Sequence, residues 1–187
     1  MKSQNNKTPV YWSLLDFKDW NLYIAATEKG LCYVGSQNKE FEELSVWAEK
    51  RFPGCSLVED NEKLNIYAEE LKEYFDGKRK NFTVPFDYHG TEFQVAVWNA
   101  LCEIPFGETK SYSDIANHIN KPAAVRAVGA AIGANPVLIS VPCHRVVGKN
   151  GSLTGYRGGL EMKTQLLDLE RQGLAHTACR DIRPANA

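Results

Sequence analysis

Nothing in this chain of 187 residues approaches the ~18–20 consecutive apolar residues that a bilayer span needs. The first residues, Met1-Lys2-Ser3-Gln4-Asn5-Asn6-Lys7, have charge without an apolar stretch behind it, so they do not read as a signal peptide. Internal repeats and low-complexity tracts are missing too. Cysteines are few and scattered: Cys32, Cys55, Cys102, Cys143 and Cys179 are odd in number and none lies close to another in sequence. That pattern supports neither a disulfide framework nor a CxxC zinc site, and no metal is expected. A soluble cytoplasmic protein in a reducing compartment follows, with at most one or two chemically special thiols. Excess charge is also lacking, since the net value is −1.

What charge there is lies unevenly. Between Pro105 and Lys163 stand seven basic residues, Lys110, Lys121, Arg126, Arg145, Lys149, Arg157 and Lys163, against three acidic ones, Glu108, Asp114 and Glu161. The N-terminal half is acidic. The asymmetry permits an anionic partner on one face without requiring one.

In the N-terminal half, residues 22–26 and 30–35 are short apolar or alternating runs separated by Glu28-Lys29-Gly30, which predicts a β-hairpin. Residues 41–52 and 64–75 have helical spacing; in the second, Leu64, Tyr67, Ala68, Leu71 and Phe75 share one stripe. Residues 76–81 stop that helix, 82–86 read as extended, and the boundary between two domains falls near residues 87–90. The expected division is 1–87, 88–171 and a tail, 172–187.

The second half is mainly helical. Phe93, Val97, Trp98 and Leu101 line one face of a helix that Cys102 ends, and Cys102 reads as a core filler. After the break at Ile104-Pro105-Phe106-Gly107, Ser111 and Asp114 make a capping-box-like start. Ile115, Ala116 and Ile119 give that short helix a buried face. A second helix spans about 123–134, beyond the turn at Asn120-Lys121-Pro122. Two helices and a tight turn fit a helix-turn-helix, and also an αα-hairpin with no DNA role. The second helix is almost all small residues around one cation, Arg126; such a backbone can come very close to another helix or to a nucleic-acid groove. Residues 137–141 look like a strand that Pro142 ends. Asn150-Gly151 predicts a tight turn, 154–159 a Gly-rich connector, and about 160–171 a last helix.

Cys143 and His144 are adjacent. An imidazole raises the thiolate fraction of a nearby thiol. In an extended segment their side chains would point to opposite faces, so a bridging water is needed. The imidazole would then want an acceptor on its far nitrogen, for which Glu161 and Glu170 are the candidates.

The longer string decides between readings. Pro142-Cys143-His144-Arg145-Val146-Val147, Gly151, Gly155-Tyr156, Gly158-Gly159-Leu160, Lys163, Leu166-Leu167 and Glu170 resemble the alkylguanine-DNA alkyltransferase family, the methylated-DNA–protein-cysteine methyltransferases. So do Gly90-Thr91-Glu92-Phe93-Gln94, Val97-Trp98, Ile104-Pro105-Phe106-Gly107, Ser111-Tyr112, Arg126-Ala127-Val128-Gly129 and Asn135-Pro136. The likeness runs continuously from about 90 to 170, is mainly architectural over 10–86, and corresponds to the stand-alone form.

The resemblance implies an α/β, ribonuclease-H-like N-terminal domain and a mainly α, winged-helix C-terminal domain with a helix-turn-helix. It implies single-use transfer of an alkyl group from the 6-oxygen of guanine in double-stranded DNA to Cys143, by a monomer without cofactor. It assigns His144 as water-linked base, Glu170 as its carboxylate partner and Asn135 as the buried tie to the acceptor turn. Tyr112 becomes the phenol beside a flipped nucleotide. Arg126 enters the duplex where the base left, and Ala127 and Gly129 allow minor-groove approach. Val146 presents a carbonyl to guanine, and Tyr156, Arg157 and Gly158 wall the pocket. Other readings of the same residues are a non-catalytic damage-binding protein, a thiol hydrolase built on Cys143, His144 and Glu170, and a helix-turn-helix regulator.

Overall fold

The computed structural model describes residues 7–180. Its N-terminal half is a four-stranded sheet in the order β3-β2-β1-β4, made of β1 (Pro9–Phe17), β2 (Trp20–Thr27), β3 (Gly30–Val34) and β4 (Ser56–Glu59). β1 pairs antiparallel with β2 and parallel with β4; β2 pairs antiparallel with β3. The expected hairpin is therefore β2–β3, and β1 is a strand the sequence reading did not separate out.

Period-2 alternation gives the sheet two apolar faces. Val10, Ala25 and Tyr33 pack with Leu44 of α1 (Phe41–Arg51) on one side. Leu15, Leu22, Ile24 and Leu31 pack with Leu64 and Leu71 of α2 (Asn61–Phe75) on the other. Asp60 caps α2 by accepting from the Lys63 amide at 2.9 Å. The second core is continuous with Val97, Trp98, Val128, Ile132 and Leu166 of the C-terminal half.

The outer edge of β3 joins the halves. Leu31 donates to Pro85 O (2.9 Å) and Asp87 to Leu31 O (2.9 Å); Val34 donates to Pro136 O (3.0 Å), and Leu138 to Val34 O (3.3 Å). An edge strand that would otherwise invite foreign pairing is thus covered by the chain itself.

The C-terminal half comprises α3 (Glu92–Cys102), β5 (Lys110–Ser111), α4 (Tyr112–His118), α5 (Val125–Gly133), β6 (Val146–Val147) and α6 (Leu160–Arg180), with β5 and β6 forming a short parallel pair. Thr91 and Ser111 head α3 and α4 with complete capping boxes. A single 3-10 turn, 122–124, precedes α5.

Three expectations are corrected. Residues 137–141 are not a strand: Val137 makes one isolated bridge to Val34, and the chain then winds, Ile139 taking φ +69°. Asn135 replaces a strand partner, its carboxamide accepting from Val137 N (2.9 Å) and donating to Val137 O (3.3 Å) and Val141 O (3.1 Å). The last helix continues beyond 171 to Arg180, because Gly173 sits close under the Phe106 ring and Leu174 against Gly107, contacts that hold the helix past a residue of poor helix propensity. Cys102 is exposed rather than a core filler, 3.5 Å from the Tyr88 hydroxyl.

Gly30 illustrates how tightly the 85–87 segment is held against β3. Its φ is +156°, and a Cβ there would lie 2.5 Å from Pro85 O. We expect Gly30→Ala to cost about 1–3 kcal/mol through strain and displacement of the 85–87 segment, read as a lower urea midpoint. An unchanged midpoint would mean that segment is not held against β3.

Candidate active site

Pro142 ends the winding segment, and residues 143–145 form one 3-10 turn in which Arg145 N donates to Pro142 O (3.0 Å). This corrects the extended geometry expected around Cys143 and His144: the turn sends adjacent side chains in diverging directions about its axis. Cys143, His144 and Arg145 are all buried.

The Cys143 sulfur accepts from Asn135 Nδ2 at 3.1 Å. Burial pushes its thiol pKa up, and the Asn135 bond only partly opposes this, so the resting sulfur is protonated at neutral pH. His144 Nε2 is 2.8 Å from Glu170 Oε1, and its buried Nδ1 has no hydrogen-bond partner among the described residues. Burial holds the imidazole below its ordinary pKa, against the pull of Glu170. A neutral ring that donates a hydrogen bond from Nε2–H to the carboxylate leaves Nδ1 as the basic nitrogen.

Glu170, at 0% exposure, is the most heavily bonded side chain here. Oε1 accepts from Tyr74 Oη (2.7 Å), His144 Nε2 and Arg145 Nη2 (2.8 Å); Oε2 accepts from Arg145 Nε (3.0 Å) and Gly107 N (3.0 Å). Burial alone would raise its pKa, but the bonds and charges of His144 and Arg145 win and depress it to about 2. Of the two carboxylates considered from the sequence, Glu170 is the one at the site; Glu161 is exposed.

Cys143 forms the floor of a cleft of about 230 Å³ lined by Tyr112, Gly129, Ile132, Gly133, Tyr156 and Arg157, among others. The Tyr112 hydroxyl accepts from Thr154 Oγ1 (3.1 Å). The buried Tyr156 hydroxyl has no hydrogen-bond partner among the described residues. Lys163, wholly buried, donates to Val146 O (2.6 Å) and Thr154 O (2.9 Å), and so fixes two walls at once. Gly158 is packed under Met162 and the Tyr156 ring, where a Cβ would collide.

Arg126 and Ala127 lie exposed on α5, while Val128, Ala131 and Ile132 face the core. Gly129 and Gly133 of the same helix open onto the cleft. The small-residue face therefore points outward rather than into another helix.

The sequence reading missed three contributions. Arg145 neutralises the buried carboxylate. Tyr74 reaches it from α2, outside the half to which the site was assigned. Arg157 does more than wall the cleft: its guanidinium donates to Val34 O (2.7 Å), Pro136 O (3.1 Å) and Asn135 O (3.0 Å) and pairs with Glu43 (3.2 Å), clamping the cleft loop to β3 and α1. Arg145 stands within the motif, beside the nucleophile, so a cation next to a Cys-His pair was the available signal; nothing local marks Tyr74. Among the described residues no group of three or more His, Cys, Asp or Glu is placed to hold a metal ion, and no helix is long and apolar enough to cross a membrane.

Set beside known proteins, residues 10–88 match the 6-O-methylguanine DNA methyltransferase, ribonuclease-like domain, and 92–172 the 6-O-methylguanine DNA methyltransferase, DNA binding domain. The chain is 75% identical over 169 residues to an inducible methylated-DNA–protein-cysteine methyltransferase of Bacillus subtilis, covering 90% of this chain and 94% of that one. It is 43% identical over 163 residues to the methylated-DNA–protein-cysteine methyltransferase of Methanosarcina acetivorans, covering 86% and 98%. A crystal structure of Mycobacterium tuberculosis OGT in complex with DNA superposes with TM-score 0.75 at 37% identity, over 87% of this chain and 94% of that one.

The electrostatics set the pH dependence of folding. Glu170 is depressed from 4.5 to about 2, so its stabilisation is complete above pH 4.5 and lost as pH falls towards 2, ~3 kcal/mol at about 1.4 kcal/mol per pH unit. His144, held below 6.5, is protonated first in the unfolded chain, so stability begins to decline below about pH 6.5. Urea midpoints should fall in both ranges, and Glu170→Gln should be less stable at pH 7 and lack the lower step. A lower step that persists unchanged in Glu170→Gln would assign it to other carboxylates.

Proposed function

The chain belongs to the 6-O-methylguanine DNA methyltransferase family, and from that premise we propose that it repairs double-stranded DNA by moving an alkyl group from the 6-oxygen of guanine to the sulfur of Cys143, once per molecule. The observation that carries the assignment to Cys143 is its placement. A buried thiol floors a cleft between two tyrosines, beside a neutral imidazole whose far nitrogen is spent on a carboxylate.

The steps follow from the residues. The target atom is stacked inside the duplex, so the nucleotide must be extruded, at a few kcal/mol. The exposed small-residue face of α5 suits the minor groove, and Arg126 takes the space the base leaves. His144 Nδ1 takes the thiol proton through a water. The sulfur forms a bond to the alkyl carbon while the carbon–oxygen bond breaks, its electron pair staying with guanine. Tyr112 is the phenol placed to supply the proton that neutralises the departing base. The Val146 carbonyl, one lone pair taken by Lys163, has the other for the guanine amino group, and the Cys143 carbonyl serves likewise. Tyr156, Arg157 and Gly158 hold the wall opposite Tyr112. The bonds balance without a cofactor, and the thioether has no route back to a thiol, so the molecule acts once.

A hydrolase would need donors for an oxyanion, yet the backbone N–H groups of Cys143 and Arg145 are occupied by Val141 O and Pro142 O. We divide the labour between residues 1–87, which buttress, and 88–171, which bind and react; 172–187 are a tail whose first part extends α6. Among the described residues Cys32, Cys55, Cys102 and Cys143 form no disulfide, which suits a monomer in the reducing cytoplasm.

Mass analysis after incubation with a duplex carrying 6-O-methylguanine should find one added methyl group per chain, on the Cys143 peptide. Cys143→Ser should form no adduct while retaining binding; an adduct in that variant, or on another cysteine, refutes the assignment. Arg126→Ala should slow transfer from saturating duplex at least ~10-fold, corresponding to over 1 kcal/mol of lost extrusion energy, while sparing the free alkylated base. If more duplex restores the rate, Arg126 is a phosphate contact instead.

A further inference from the structure

We propose that Tyr74, on α2 of the N-terminal half, is a positioning residue of the transfer relay: its hydroxyl holds the Glu170 carboxylate so that it accepts a hydrogen bond from the Nε2–H of His144, which leaves Nδ1 as the base. The inference rests on the alkyl-transfer reading above, in which His144 accepts the thiol proton.

The geometry points one way. Tyr74 is 0% exposed, and its hydroxyl lies 2.7 Å from Glu170 Oε1, the oxygen that also meets His144. The same hydroxyl is 3.4 Å from His144 Nε2, so the phenol stands beside the His–Glu bond and not merely near it. Burial, and after it the Glu170 charge, keeps the phenol well above its ordinary pKa, so Tyr74 donates and Glu170 accepts. The ring cannot swing away: Phe82 and Phe106 flank it, with centroids 5.5 and 6.1 Å distant. Packing alone would be served by phenylalanine. The hydroxyl spends its donor on the carboxylate oxygen that His144 also meets, a bond that both satisfies the buried charge and sets how much of it His144 feels.

The task has a sign. The carboxylate shares its charge among Tyr74, His144, Arg145 and the Gly107 amide. With the Tyr74 donor gone, more charge is left for His144, and the imidazolium becomes easier to form. The other groups facing the pair are unchanged by that substitution: Arg145 on the same turn, Lys163 on α6, Cys143 and Tyr156. The base would then carry a proton at pH values where wild type is ready to accept one. The weak 3.4 Å contact to Nε2 works in the opposite sense, but the 2.7 Å donation is shorter and charge-assisted, so it dominates.

The test uses the full chain and Tyr74→Phe, which keeps the ring. Single-turnover methyl transfer at saturating duplex is followed from pH 5.5 to 9, with duplex affinity measured alongside and histidine nitrogens observed by 15N NMR. The expected result is an acid limb moved up by about half a pH unit or more, a rate several-fold lower at pH 7, and unchanged affinity. A limb that coincides with wild type overturns the proposal, whatever happens to the melting temperature, because a packing role would move stability alone. The wild-type nitrogen spectrum is a second arm that needs neither variant nor substrate: Nε2 protonated and Nδ1 bare supports the proposal, and the reverse tautomer overturns it. A wild-type chain that forms no adduct overturns the transfer reading instead, while the spectrum still decides what Tyr74 and Glu170 impose on His144.

Discussion

A single buried carboxylate organises this molecule. Removing an isolated charge from water costs several kcal/mol at least, and the site can hold Glu170 ionised only because donors from three parts of the chain converge on it. Tyr74 comes from α2, Gly107 from the loop after α3, and His144 and Arg145 from the acceptor turn. Arg145 has a second anchor, the Ile104 carbonyl at 2.5 Å. The demand of one charge for partners thus fixes the relative positions of both halves, the turn and the last helix. A charge pair of this kind is not a cheap source of stability; its return is geometric, since very few arrangements satisfy every donor together.

The acceptor turn is held from its other side by a second network. Asn135 spends its carboxamide on Val137, Val141 and the Cys143 sulfur, and its own carbonyl receives Arg157. Arg157 also reaches Val34 and Glu43, and Glu43 accepts from Tyr33 (2.7 Å) and the Ser36 amide (2.9 Å). Strain at Ile139, a buried non-glycine residue at φ +69°, is tolerated between these two clamps. The N-terminal half carries none of the acceptor chemistry, yet both clamps close on it, one at Tyr74 of α2 and the other at Val34 of β3 and Glu43 of α1.

Much of this was legible in residue order. Helices α1 to α4, the β2–β3 hairpin and the turn at 148–152 follow from periodicity, caps and turn chemistry, because those signals are local. The identity of the nucleophile and its carboxylate came from a resemblance spread over some eighty residues, not from the weak Cys-His pair itself. What escaped was non-local. The run 137–141 has the composition of a strand but no room to pair beyond Val34, and the Asn135 side chain satisfies the backbone instead. α6 passes Gly173 because Phe106, far away in sequence, packs over it. Tyr74 lies on a helix stripe that reads as core, and only the fold reveals that its hydroxyl meets a charge 96 residues further along.

The same clamps reconcile two demands that conflict in a protein that reacts once. The sulfur must be nucleophilic towards an alkyl carbon, yet a standing thiolate would be spent on any passing electrophile or oxidant. Burial resolves the first half of this by keeping Cys143 protonated, and Asn135 opposes burial only in part. The other half requires a base that acts only when the alkyl carbon is seated. His144 fits because it is neutral, has no exposed surface and is oriented by Glu170 before any substrate arrives. The cleft at Cys143 is lined by Gly129 and Gly133 of α5 and by Gly155, Tyr156 and Arg157, and in the proposed reaction it receives the extruded base. On the proposed mechanism, selectivity lies in what can enter rather than in how reactive the sulfur is at rest, and the thiol is activated only when His144 takes its proton.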